Sequence, residues 1–174
     1  MIDVMRMKST TKEKNVQPIK EVNFDRVYDA PIAQMWKAWT QPEILKQWWG
    51  PHGVSIPECE VELRVGGKFY IVMEAGEAMG PYKGTRWPML ARFTAVEPNA
   101  RLTYTAKAWT DGKGEETQID QITDIIFLEE NGKTRIKLKA AINKVGAGAK
   151  MAVEGMQYGF TQQLDKLHAY LQSR

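Results

Sequence analysis

Apolar residues recur at steps of three and four positions between Ala147 and Ser173, which places them on one stripe of an α-helix. The stripe consists of Ala149, Ala152, Val153, Met156, Phe160, Leu164, Leu167 and Leu171. The middle of the chain has the pattern of strands and offers no helix long enough to cover this stripe. The pattern therefore predicts a long C-terminal helix that lies across a curved sheet.

A first strand and a short helix are predicted before the middle region. Apolar and polar residues alternate from Pro18 to Tyr28, with Arg26 on the more apolar face. We expect a buried acid to pair with Arg26, because charges inside proteins are usually paired; a position beside a ligand is the alternative. Asp29-Ala30-Pro31 then begins a helix, since the N–H that proline lacks has no partner in a first helical turn.

A second short helix is predicted to end in two adjacent tryptophans. Thr40 and Glu43 have the spacing of a capping box, which predicts the start of this helix, and Gly50 ends it. Neighbouring residues of a helix point about 100° apart, so Trp48 and Trp49 are not expected to face the same core. At least one of them is predicted to lie at a rim or an opening.

The middle of the chain alternates between apolar and polar residues in about six segments joined by turns. Strands are predicted at Ile56–Leu63, Phe69–Met73, Met89–Val96, Leu102–Trp109, Gln118–Glu129 and Lys133–Ile142. Asn131-Gly132 is the clearest hairpin signal, because this turn requires φ > 0 at both positions. Strands joined by short turns are antiparallel neighbours. We therefore predict an α+β fold with the helices on one face of the sheet.

Composition limits the class of protein. A chain of 174 residues with 43% hydrophobic residues suits one domain, predicted over 16–174 after a flexible lead-in at 1–15. The net charge of +3 is mild and interspersed, which argues against a nucleic-acid partner. Because the chain has neither a membrane-length apolar run nor a secretory signal, we expect no membrane partner and a cytoplasmic location. Cys59, the single cysteine, fits a reducing compartment. A monomer and a homodimer both stay open.

Five short motifs occur in an order that resembles one protein family. They are Arg26-Val27-Tyr28-Asp29-Ala30-Pro31 followed by Trp36, Pro42-Glu43 with Trp48-Trp49-Gly50-Pro51, Glu62-Leu63-Arg64-Val65-Gly66-Gly67, Phe93 through Val96-Glu97-Pro98 to Arg101-Leu102, and Gly132-Lys133-Thr134-Arg135. The resemblance, to the activator of heat shock protein 90 ATPase homologue-like family of the START-like, Bet v-like (SRPBCC) superfamily, covers Val22 to Leu171. The usual Asp of the third motif is Glu62 here, and the loop near Gly84–Pro88 carries a tryptophan. The resemblance implies a helix-grip fold, in which a curved antiparallel sheet of about six to seven strands surrounds the last helix and an internal cavity.

Side chains suited to catalysis or metal binding are few. His52 is expected in a solvated loop, His168 on the surface of the last helix, and Cys59 inside a strand. No spacing suits a metal site, and no metal or cofactor is expected. Asp120 and Asp124 are assigned to the outer face of the sheet, because the residues that alternate with them are apolar.

Glu60, Glu62 and Arg64 are predicted to form a structural ion-pair group rather than a catalytic one. The three residues share one face of a strand. Arg64 is expected to pair with an acid across a neighbouring strand.

Gly155 and Gly159 lie four residues apart on the last helix, where each costs about 1 kcal/mol relative to alanine. They allow either a close approach to the sheet or room for a ligand. Met- and Trp-rich linings suit adaptable binding of apolar molecules. The predicted lining is Trp48, Phe69, Met73, Phe93, Tyr104, Met156 and Phe160, with Trp49 and Trp87 near the mouth and Met151 on the wall.

The sequence is compatible with three functions. The first is the binding of a small hydrophobic molecule between the sheet and the C-terminal helix. The second is a cyclase- or hydrolase-like enzyme acting on a hydrophobic substrate in the same cavity, for which Arg26, Glu60 and Asp124 are the candidate residues. The third, implied by the family resemblance alone, is a protein-interaction module similar to the chaperone ATPase activator.

Overall fold

Seven strands form one sheet in the computed structural model, which describes residues 17–111 and 114–174. The strands are β1 (Lys20–Tyr28), β2 (Val54–Val61), β3 (Lys68–Ala75), β4 (Arg86–Glu97), β5 (Arg101–Trp109), β6 (Gln118–Glu130) and β7 (Lys133–Val145). Their order is β1-β7-β6-β5-β4-β3-β2, and each neighbouring pair is antiparallel. This curved sheet and its helices confirm the predicted α+β helix-grip fold. The lead-in predicted over residues 1–15 lies outside the described residues.

Four α-helices accompany the sheet. They are α1 (Ile32–Thr40), α2 (Pro42–Trp48), α3 (Lys150–Glu154) and α4 (Met156–Gln172). The helices α1 and α2 connect the two edge strands, β1 and β2. Short 3₁₀ turns occur at Glu77–Tyr82, Glu115–Thr117 and Ala147–Ala149.

The C-terminal helix is interrupted at Gly155, so the prediction of one continuous helix from residue 147 to residue 173 was wrong. Gly155 has φ −81° and ψ 0°, which opens the turn relative to the regular helical ψ near −42°. Glycine has no Cβ to hold it in the helical region. The interruption divides the predicted stripe, which is buried at Val153 on α3 and at Leu164, Leu167 and Leu171 on α4.

The start of α2 differs from the predicted capping box. Thr40 is the last residue of α1, and its hydroxyl donates to the carbonyl of Trp36 at 2.7 Å. That bond, from a threonine to the residue four positions earlier, uses the group that the capping box needed. Gln41 is the N-cap residue and makes no side-chain capping bond. In contrast, Asn131 with φ 51° confirms the predicted hairpin turn between β6 and β7.

Trp48 and Trp49 are both buried, with 0% and 6% of their surface exposed, so the prediction that one lies at a rim was wrong. Trp49 is the C-cap residue of α2, with an extended backbone at φ −64° and ψ 146°. The 100° step of a helix therefore does not separate the two side chains. The indole N–H of Trp48 donates to the carbonyl of Ala38 at 3.0 Å, which fixes α2 against α1.

Candidate functional site

A cluster of aromatic rings fills the interior between the sheet and α2. Phe69 stacks on Phe93 at 5.7 Å between ring centroids, and Tyr104 meets Phe69 edge-on at 5.3 Å. Trp49 contacts Phe69 from the helix side at 5.5 Å and Trp48 at 5.7 Å. Four of these residues were predicted to line the cavity and Trp49 to lie near its mouth, and all five are buried. We call these five rings the aromatic base, because they pack against one another and leave the rest of the interior to other residues.

The remaining predicted lining residues occupy a different position. Met73, Trp87, Met156 and Phe160 are each half-buried. Met73 and Trp87 are opposite each other on β3 and β4. Phe160 contacts the ring of Phe24 on β1 at 6.0 Å. Met151 on α3 is 81% exposed, so its side chain does not contribute to the interior in this structure.

Gly159 on α4 is half-buried beside open space. A Cβ atom added there would meet no heavy atom within 4 Å outside the backbone of its own helix and its chain neighbours. The geometry therefore supports room beside the helix at this glycine and not a close approach to the sheet. At Gly155, which is exposed, an added Cβ would lie 3.6 Å from the carbonyl oxygen of Met151 and 3.9 Å from that of Ala152. These two oxygens belong to the preceding helical turn, so neither glycine is pressed against the sheet, and Gly159 differs from the exposed Gly155 in being half-buried.

Gln163 is a buried polar residue that the sequence prediction missed. It lies on the apolar stripe of α4, three residues after Phe160 and four before Leu167, and is 7% exposed. Its Oε1 accepts a hydrogen bond from the backbone N–H of Gly50 at 3.0 Å, whereas its Nε2 has no hydrogen-bond partner in the part of the chain that the structure describes. The signal in the sequence that could have revealed Gln163 was a polar residue at a position of the apolar stripe that faces the core.

Two neighbours of Gln163 also bind the loop that follows α2. Gln162 Oε1 accepts from the backbone N–H of His52 at 3.1 Å. Lys166 Nζ donates to the carbonyl oxygens of Trp49 and Gly50 at 3.0 and 3.2 Å, and to that of Pro51 at 3.3 Å. Burial lowers the pKa of Lys166 below its usual value. These bonds hold the loop against α4.

The hydroxyl of Tyr104 lies on the concave side of the sheet at the level of Thr123. The two residues are paired across β5 and β6, and both are buried. Burial raises the pKa of Tyr104 well above its usual value, although a hydrogen bond with Thr123 opposes the shift. Gln121 Nε2 donates to Thr123 Oγ1 at 2.8 Å. The hydroxyl groups of Tyr104 and Thr123 thus have hydrogen-bond partners within the sheet.

The three candidate residues of the enzyme hypothesis are all paired. Arg26 donates to Asp165 of α4 at 2.7 Å, so it is paired with an acid as predicted, but this acid is exposed rather than buried. Glu60 forms an ion pair with Lys68 on the outer face. Asp124 forms an ion pair with Arg101 and faces away from the interior. These three side chains supply no free acid or base beneath α4.

Asp124 lies on the outer face of the sheet, as predicted. It accepts hydrogen bonds from Arg101 at 2.9 and 3.2 Å and from the Thr103 hydroxyl at 2.6 Å. Partial burial favours the neutral acid, but these bonds outweigh it and lower the pKa of Asp124. Arg64 pairs with Glu62 at 3.1 Å within the same turn, so the prediction of a cross-strand partner was wrong.

The histidines and the cysteine do not form a reactive cluster. His52 and His168 are exposed, and Cys59 is half-buried. Burial raises the pKa of Cys59 to about 11, which keeps the thiol protonated and weakly nucleophilic at neutral pH. Within residues 17–111 and 114–174, no group of three or more His, Cys, Asp or Glu side chains is placed to hold a metal ion.

Two open depressions lie on the outer face of the sheet. Asp25, Asp124, Lys137 and Lys139 contribute charge to the first, which β1, β6 and β7 form. The second, near the start of β4, includes Glu58, Arg86 and Asp111, and further lining residues are Tyr70, Val72, Gly84, Thr85 and Pro88. Charged walls suit an apolar molecule poorly, since their hydration would be lost without compensation.

Among the described helices, none has the length and apolar character needed to cross a membrane.

Comparisons with known proteins place the chain among structures of one fold. A family model described as "Activator of Hsp90 ATPase homolog 1-like protein" matches residues 29–172. A crystal structure from Nitrosomonas europaea has a TM-score of 0.69 at 26% identity and covers 88% of this chain and 94% of its own. The AHSA1 protein of Silicibacter pomeroyi has a TM-score of 0.67 at 22% identity, with 87% and 97% covered. A solution structure from Arthrobacter aurescens reaches 0.72 at 20%, with 88% and 87% covered. No curated protein matches the chain significantly.

Proposed function

This chain belongs to the activator of Hsp90 ATPase homolog 1-like family, and we propose that it binds a small, mainly apolar molecule between the sheet and α4. The observation that carries the proposal is the open space at Gly159, which lies on a half-buried part of α4 beside Met156 and Phe160. An apolar molecule in this space would cover side chains that are now only half-buried. Each Å² of apolar surface removed from water contributes roughly 25 cal/mol.

The side chains on the concave face of the sheet also support a binding site at this position. Small residues occupy the concave faces of β4 and β5, where Ala91 is paired with Ala106 and Met89 with Ala108. Ala108 is half-buried, unlike the neighbouring Ala106. Small side chains leave volume above the sheet, and the methionines at its border can adapt to an irregular ligand because their chains are unbranched. The aromatic base would form the inner end of the binding site.

The position of the charged residues favours binding over the alternatives. Arg26, Glu60 and Asp124 are engaged in ion pairs, so the enzyme hypothesis has no specific support from these three residues. The interaction-module hypothesis rests on the family description. Neither alternative has an observation comparable to the space at Gly159.

The proposal is tested by NMR on protein labelled with ¹³C at the methionine methyl groups, titrated with ethylbenzene. The ring of a bound ethylbenzene shifts nearby methyl signals. We expect the signals of Met73 and Met156 to move together and to saturate. Met151, which is exposed on α3, serves as an internal control and should not move. The absence of a saturable shift at Met73 and Met156 would overturn the proposal.

A further inference from the structure

We infer that the ligand carries a neutral hydrogen-bond acceptor, such as a ketone or ester carbonyl, and that Nε2 of Gln163 binds it. The inference rests on the proposed function and adds the chemical class of the ligand. Gln163 is more than nine-tenths buried, and its Nε2 has no partner within residues 17–111 and 114–174. Buried side-chain donors are satisfied in the large majority of cases, so a free amide at a proposed binding site indicates what the site recognises.

The orientation of the Gln163 amide follows from its hydrogen bond to Gly50. Gly50 presents a backbone N–H, which is a donor, and only the oxygen of a carboxamide accepts. A rotation of the amide by 180° would place two donors against each other. Oε1 is therefore fixed toward Gly50, and the two N–H bonds of Nε2 are directed elsewhere.

The position of Gln163 on α4 relates it to the open space at Gly159. Gly159 precedes Gln163 by four residues, so the two positions are on the same face of α4. Side chains of a helix lean toward its N-terminus, which directs Gln163 back toward the turn that contains Gly159. The donor and the space thus belong to one site.

Gly50 also connects Gln163 to the apolar border of that site. A Cβ atom added at Gly50 would lie 2.8 Å from Sδ of Met73, so the backbone that Gln163 binds is in contact with this methionine. Met73 is in turn opposite Trp87 on β4. An apolar molecule held by its acceptor at Gln163 would therefore have half-buried apolar groups within reach.

The charges around Gln163 favour a neutral acceptor over a carboxylate. The cation nearest along the same helix, Lys166, donates to three backbone carbonyl oxygens of the loop at 49–51. A carboxamide supplies a donor without a charge. A carboxylate would lose its hydration on entering this site without gaining an ion pair, whereas a carbonyl loses much less.

Trp39 has the second buried N–H without a partner among the described residues. Its ring is enclosed by Trp48 at 4.7 Å, Trp49 at 6.2 Å and Phe127 at 6.4 Å between centroids. This indole lies among rings of the core and away from the half-buried residues. The inference therefore concerns Gln163 alone.

The test compares acetophenone with ethylbenzene, which have similar size and differ by a carbonyl oxygen. For the wild-type protein and for Gln163→Met, the ratio of the two dissociation constants is measured by methyl NMR. The ratio removes any general loss of affinity in the variant and the difference in hydration of the two compounds. We expect the affinity for acetophenone to fall about tenfold relative to the affinity for ethylbenzene in Gln163→Met, because the variant loses one buried hydrogen bond to the carbonyl.

Gln162→Met is the matched control, because it also removes a bond from α4 to the backbone of the same loop. Its ratio should equal that of the wild-type protein. The wild-type protein gives a second readout, since acetophenone but not ethylbenzene should shift the side-chain amide ¹H signals of Gln163 downfield.

The outcomes separate the inference from the proposed function. Binding of both compounds with an unchanged ratio in Gln163→Met, and no selective shift of the Gln163 amide, would overturn the acceptor inference and leave the proposed function intact. Binding of neither compound would overturn both. Ordered waters that occupy both N–H bonds of Nε2 in the acetophenone complex would also contradict the inference, because a bound carbonyl replaces the hydrogen bond of one of them.

Discussion

Gln163 of α4 accepts a hydrogen bond from the backbone N–H of Gly50, although the two residues are 113 positions apart. This bond joins the C-terminal helix to the turn that follows the tryptophan pair of α2. It also fixes the orientation of the Gln163 amide, whose Nε2 has no hydrogen-bond partner among the described residues. The bond therefore connects the stability of the fold with the geometry of the proposed binding site.

Gly159→Ala is predicted to stabilise the protein by about 0.5–1 kcal/mol, because alanine has the higher helix propensity and the added Cβ meets no atom within 4 Å. Urea denaturation measures the free energy of unfolding. Gly50→Ala gives the opposite result: Gly50 has φ 80°, and an added Cβ would lie 2.7 Å from Cγ2 of Val54. Destabilisation by Gly159→Ala would show that this position is tightly packed.

Alkaline pH is predicted to destabilise the protein through Tyr28. Burial raises the pKa of Tyr28 to about 12 in the folded state, whereas an unfolded tyrosine loses its proton near pH 10. The folded state therefore binds more protons between about pH 10 and 12, and the free energy of unfolding falls as the pH rises through this window. The slope for one such group approaches about 1.4 kcal/mol per pH unit.

Denaturation at several values between pH 10 and 11.5 tests this slope in the wild-type protein and in Tyr28→Phe. The variant should show a flatter decline. Tyr158→Phe is the control, because Tyr158 is 70% exposed on α4. Equal slopes for the wild-type protein and Tyr28→Phe would contradict the role of the buried hydroxyl.

Asp124→Asn is predicted to leave ligand binding unchanged and to cost about 1 kcal/mol of stability. The carboxylate accepts from Arg101 and Thr103 on the outer face of the sheet, where exposure limits the energy of an ion pair. The same residue lines the charged depression between β1, β6 and β7. A tenfold loss of ethylbenzene affinity in this variant would place the binding site on the outer face instead.

The fold could be predicted from the sequence because alternation and turn chemistry act locally. The strands β5 and β6 follow their predicted ranges closely, whereas β4 begins at Arg86 rather than at Met89. Asn131-Gly132 has the backbone angles that its hairpin requires. β7 continues to Val145 rather than ending at Ile142, since a register shift at Asp120 lets it pair beyond the predicted end. The family resemblance supplied the helix-grip arrangement, which local patterns do not specify.

The site was predicted only in part, because its features depend on contacts between distant residues. The apolar character of Trp49 and Phe69 was evident, but their packing into a filled aromatic base depends on the extended backbone of Trp49. Met151 is exposed, as is Gly155 four residues later, so this part of the predicted wall faces outward. Gln163 could be noticed as a polar residue on an apolar stripe, yet its bond to Gly50 requires the folded chain.

The most direct test of binding beside α4 is the dissociation constant of ethylbenzene for Gly159→Leu. Leucine would occupy the open space that the proposed ligand uses, so we expect affinity to fall at least tenfold, roughly the effect of excluding a small apolar molecule from its contacts. Tyr158→Leu, at the exposed neighbouring position, should bind as the wild-type protein does. Equal affinity of Gly159→Leu and the wild-type protein would contradict the account.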